Sequence, residues 1–142
     1  MTLPYADWLP QQRWYAGRGR TLHSVTPVAV TALRESLDHV LLDVSYTDGG
    51  TERYQLYVGW DAEPRPEFTG AATIGVDHGA DRTGYDALYA EWAARSLLEC
   101  IDQDAVVGRL LFRREPEAKL PLEAPARVAD TEQSNTSVVF DR

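Results

Sequence analysis

The chain has 142 residues, a net charge of −8, and 44% hydrophobic against 25% charged residues, the balance of a globular domain rather than a disordered or fibrous one. A chain of this length buries roughly two thirds of its unfolded surface, enough for one domain or two small ones. The acidic balance excludes nucleic acid as a partner, because a polyphosphate backbone needs a basic patch, whereas a small phosphate ligand needs only a local cluster of donors and stays open.

The amino terminus lacks a basic start followed by an apolar stretch, and no run of 18 apolar residues occurs, so the expectation is no membrane and a cytoplasmic location. Pro4-Tyr5-Ala6-Asp7-Trp8-Leu9 predicts a short helix that Pro10 limits. In Gln11-Gln12-Arg13-Trp14-Tyr15-Ala16-Gly17-Arg18-Gly19-Arg20, three arginines flank two aromatics. That segment is suited to clamping an anion; equally, the aromatics anchor a core and the arginines pair with nearby acids. Gly17-x-Gly19 is no dinucleotide fingerprint, since no strand precedes it and no helix follows.

From Ser24 to Gly59 the apolar residues alternate: Val25, Val28, Val30 and Leu33, then Val40, Leu42, Val44 and Tyr46, then Tyr54, Leu56 and Val58. This period of two predicts an antiparallel meander. Its second link, Thr47-Asp48-Gly49-Gly50-Thr51, carries the Asp-Gly and Gly-Gly pairs that tolerate positive φ, so strands Leu41–Tyr46 and Glu52–Gly59 should pair. A loop-rich stretch punctuated by Pro64, Pro66, Gly70, Gly75 and Gly79 follows, with one short apolar segment, Ala71–Val76. His78-Gly79-Ala80-Asp81 reads as a polar turn rather than a kinase catalytic loop, because no asparagine follows at the spacing that would hold a metal. His23, His39 and His78 have no metal-ligand spacing.

Thr83 to Asp102 predicts the main helix, with Thr83 as cap and Tyr85, Leu88, Tyr89 and Trp92 at spacings of three and four. Ala94, Leu97, Leu98 and Ile101 fall on nearly the opposite side, which fits a helix joining two bodies or one sandwiched in a single core. The lone cysteine, Cys100, lies in this stretch and reads as a buried thiol in a reducing compartment. Beyond Asp104 the chain is extended again over Val106–Glu115, Lys119–Glu123, Ala126–Ala129 and Ser137–Phe140. The polar run Glu132-Gln133-Ser134-Asn135-Thr136-Ser137 joins the last two pieces, an arrangement that either makes an ordinary turn or aims N–H groups and hydroxyls at phosphate oxygens. The fold class is α+β: an antiparallel meander flanked by helices, then the first strands of a second sheet.

Two segments acquire a shared meaning when read together. Gln11-Gln12-Arg13-Trp14-Tyr15-Ala16-Gly17-Arg18 resembles the opening signature of the maltokinase amino-terminal cap, and Glu132-Gln133-Ser134-Asn135-Thr136-Ser137-Val138 resembles the phosphate-binding hairpin of that family. Leu41 to Gly49, Glu52 to Gln55 and Ala80 to Tyr89 are similar to it too. The resemblance implies a cap over residues 1–88 and the start of a kinase-like amino lobe over residues 89–142. It implies ATP-dependent phosphorylation of maltose to maltose 1-phosphate for glycogen and α-glucan synthesis, with magnesium, and with Ser134, Asn135, Thr136 and Ser137 facing the ATP phosphates. Partners implied are the kinase carboxyl lobe, maltose and the pathway enzyme trehalose synthase. A free-standing cap module that binds such a partner, or the cap of a glucosamine kinase, are the other readings. No catalytic residue or metal ligand is expected in this chain. Lys119, its one lysine, precedes the hairpin, whereas a kinase lysine follows it. The chain alone is therefore expected to be inactive.

Overall fold

In a computed structural model, residues 3–128 and 136–140 are described. A five-stranded antiparallel sheet dominates, built from β1 (Leu22–Arg34), β2 (Leu37–Tyr46), β3 (Thr51–Trp60), β4 (Thr73–Asp77) and β5 (Arg82–Asp86) in the order β1-β2-β3-β5-β4. The α+β class and the meander are as the alternation predicts. In the β2–β3 hairpin Leu42 faces Tyr54 and Ser45 faces Thr51, and Gly49 takes the positive φ of 90° that its turn requires. The edge strand β1 tolerates Pro27 beside one of three register shifts, where a missing N–H costs little.

The pleat gives the sheet two unlike faces. Val40, Leu42 and Val44 of β2 with Leu56 and Val58 of β3 point one way, and the chain start covers them with Leu3, Tyr5, Trp8, Leu9 and Tyr15. That cover begins with α1 (Tyr5–Trp8), followed by a 3-10 turn over Leu9–Gln11. Pro10 does not stop the helical path but sits inside the turn, at a starting position whose N–H would have no helical partner. Trp8 Nε1 donates to Ala71 O at 3.1 Å, tying the cover to the far edge of the sheet.

Leu33 and Leu37 belong to the opposite face, packed with Ala62, Ala87, Ala90, Ala93 and Leu97. α3 (Glu91–Asp102) supplies Ala93 and Leu97. Gly59 lies under this contact, and a Cβ there would come within 2.9 Å of the Ala62 Cβ and 3.4 Å of the Ala87 Cβ.

One expected helix is shorter than its spacing suggests. Arg82–Asp86 is a strand, Ala87–Tyr89 a 3-10 turn, and α3 begins only at Glu91, with Ala90 as its N-cap. Thr83 caps nothing helical; Asp86 caps the 3-10 turn, its Oδ1 accepting from the Leu88 N–H at 3.1 Å, and α3 has no side-chain cap. Tyr85, Leu88 and Tyr89 mimic a helical stripe by coincidence. Pairing of Gly84 and Tyr85 with Trp60 and Gly59 outweighs local spacing, and the apparent switch of apolar face vanishes because half of it is not helix. The segment Ala71–Val76 likewise divides into α2 (Thr69–Ala72) and β4.

After α3 come two small hairpins, β6 (Val106–Val107) with β7 (Leu110–Leu111), and β8 (Ala126–Val128) with β9 (Val138–Phe140). Lys119–Glu123 forms no strand. No helix among the described residues is long and apolar enough to cross a membrane.

Candidate functional site

The arginine-aromatic segment folds as the core-anchoring reading requires. Trp14 packs edge-on to Trp8, centroids 5.8 Å apart, and tilted against Tyr54 at 5.7 Å. Tyr15 is buried at 5% exposure. Arg18 Nη2 donates to Gln12 O at 2.8 Å. Arg20 pairs with Asp48 at 3.0 Å and stacks over the Tyr46 ring at 3.8 Å. Gly17 is needed where it stands, because any Cβ would overlap the hydroxyls of Tyr46 and Tyr15. Tyr46 Oη donates to Glu52 Oε1 at 2.5 Å, and burial followed by that bond pushes its phenol well above the usual range. The segment is thus a scaffold under the sheet.

The polar run near the carboxyl end bridges a true hairpin, with Ala126 opposite Phe140 and Val128 opposite Val138. Ser134 and Asn135 lie outside the described residues. Thr136 is half-buried and Ser137 exposed, both just before β9. Lys119 is exposed in the connection that precedes β8. Among the described residues no group of three His, Cys, Asp or Glu side chains stands close enough to hold a metal ion. The described donor set at the hairpin is therefore two hydroxyls and backbone, which suits phosphate oxygens and offers magnesium no carboxylate.

Thr136 also borders a cleft of about 520 Å³ whose other walls are Trp14, the consecutive residues Arg53 to Tyr57, Asp86 and Leu88. Five successive strand residues line it because β5 pairs with β3 only from Val58 to Trp60. At Asp86 the chain leaves the sheet for the 3-10 turn, and the rest of the β3 edge opens onto the gap. Asp86 is 3% exposed. Burial lifts its carboxyl to about 7, with the Leu88 N–H pulling the other way. At the mouth, Arg53 holds Asp43 through Nε–Oδ1 at 2.6 Å and Nη2–Oδ2 at 3.2 Å, keeping that carboxyl below its ordinary range. His39 Nε2 lies 3.1 Å from Gln55 Oε1.

Sequence reasoning singled out Thr136 for phosphate oxygens rather than for this cleft, and named none of the cleft's other walls as a site. Asp86 was masked by the helical reading of its segment, and its one signal was an Asp two residues before an apolar residue at a turn start. Trp14 was visible only as a core anchor. The comparison with known families matches residues 8–89 to the maltokinase N-terminal cap domain. That span contains the meander, the cover from Trp8 onward and Asp86, and it takes in more than half of the chain, which therefore belongs to the maltokinase family and carries its amino-terminal cap.

Proposed function

We propose that the chain is the amino-terminal portion of an ATP-dependent maltokinase that converts maltose to maltose 1-phosphate in glycogen and α-glucan biosynthesis. Residues 1–88 form the cap, and residues 89–142 open the kinase amino lobe. The observation that carries this reading is the cap match over residues 8–89, followed in the chain by a hairpin with hydroxyls at its β9 end. In this reading Ser134, Asn135, Thr136 and Ser137 orient the ATP phosphates by hydroxyl and N–H donation, which positions the transferred group without covalent chemistry. Magnesium, when bound, spreads the charge on the phosphates; its ligands, the phosphate lysine and the base come from other residues of the kinase. The carboxyl lobe and trehalose synthase are the protein partners of this reading, and the cytoplasm is its compartment.

A coupled ADP-release assay tests it. Protein from the complete reading frame should release ADP only when maltose, ATP and magnesium are all present, and the 142 residues alone should not exceed background. Release that is indifferent to maltose would overturn the acceptor, and turnover by the 142 residues alone would overturn the assignment of the chemistry to other residues.

A further inference from the structure

The cleft beside β3 has a composition that neither core packing nor phosphate binding explains. Its volume, about 520 Å³, falls in the range of small-molecule sites. Its aromatic lining is held in place on both sides of the β3 edge: Trp14 is fixed by Trp8 and Tyr54, and Tyr57, on the other face, stands edge-on to His39 with centroids 5.2 Å apart. A ring locked on two sides presents its remaining surface without further loss of side-chain freedom. The polar groups are of both kinds. Asp86 is a buried carboxyl group whose Oδ1 accepts from Leu88 N–H, and in either protonation state it keeps further acceptor positions to fill. Gln55 engages His39 through Oε1, which leaves its amide N–H groups as donors, and the Thr136 hydroxyl both donates and accepts.

Charge narrows the ligand further. The one base lining the cleft, Arg53, is committed to Asp43, and the one acid, Asp86, is buried where a full charge is disfavoured, so an ion of neither sign finds a free counter-charge. A neutral molecule with many hydroxyls and a C–H face satisfies every group named. We propose that this cleft is a saccharide-binding site on the cap, with the sugar's C–H face on Trp14 and its hydroxyls donating to Asp86 and accepting from Gln55. The site requires no nucleotide and no turnover, so it stands or falls separately from the kinase reading.

The test is a titration of the 142-residue chain with glucose, maltose and maltotriose, followed by amide and indole NMR signals, with choline and inorganic phosphate as charged controls. The expected result is saturable movement of the Trp14 indole, the Gln55 side-chain amide and the Leu88 amide with a saccharide and with neither control. Asp86→Asn keeps an acceptor for Leu88 but replaces the second carboxyl oxygen with an amide NH2 that cannot accept, and should weaken saccharide binding about tenfold, the loss of one hydrogen bond. Gln55→Ala, at an exposed position, removes the amide donors together with the bond to His39; its amide spectrum reports whether the fold is kept, and it should weaken binding less. Absence of saturable shifts with all three saccharides, preference for choline or phosphate, or unchanged affinity in both variants would overturn the proposal.

Discussion

The two faces of the central sheet are stabilised by opposite means. On one, bulky side chains fill space: Trp8, Tyr5, Tyr15 and Leu9 from the chain start rest on Val40, Leu42, Val44 and Val58. On the other, smallness does the packing: Ala62 and Ala87 close on Gly59, and Ala90 and Ala93 join the same cluster around Leu33, Leu37 and Leu97. A face built from large groups fails by leaving voids, and a face built from small ones fails by overfilling. The same strands therefore respond in opposite directions to a change in side-chain volume.

Four substitutions sharpen or break that contrast. The largest effect is expected at the crossing point, where Asp86 pairs with Val58 and Ala87 joins the alanine face. Because burial raises its carboxyl from 3.8 to about 7, the folded protein keeps a proton that the unfolded chain has already lost between those values. Stability is therefore fullest below the unfolded value and declines as pH rises to about 7. Asp86→Asn should add roughly 4 kcal/mol at about pH 8 and nothing below about pH 4, read from urea midpoints across pH. Leu42→Ala, at a position with no exposure, should cost about 2–5 kcal/mol by opening a cavity on the aromatic face. Ala93→Leu, equally buried, should cost about 1–3 kcal/mol by pushing α3 off the sheet. If Ala93→Leu stabilised the protein, the alanine face would be underpacked and the contrast wrong. The smallest effect belongs to Asp43→Asn, where a solvated pair with Arg53 is lost, and a thermal melt should be indistinguishable from the parent.

The same contrast explains which features could be read from the residues. The β2–β3 hairpin was legible because Asp48-Gly49 and strict alternation act locally and agree with each other. The short start helix was legible for the same reason, and so were the β8 and β9 segments as extended pieces, whereas their joining as a hairpin came with the family resemblance. Thr83–Asp86 was not, because its strand state is imposed by Val58 to Trp60, more than twenty residues earlier in the chain, while its local spacing imitates a helix. The cleft was hidden for a related cause. It exists where β5 stops short of β3, a fact about where pairing ends rather than about any motif, and only Thr136 carried a local signal.

Cys100 gives this architecture a clock. It is the only cysteine of the chain, it is 1% exposed, and it sits in α3, the helix that covers the alanine face. A thiol so placed is shielded from alkylating reagents while the helix is docked, so its labelling rate counts the openings of that helix. Stopping the reaction at intervals and weighing the protein would time the undocking of α3 with no residue changed.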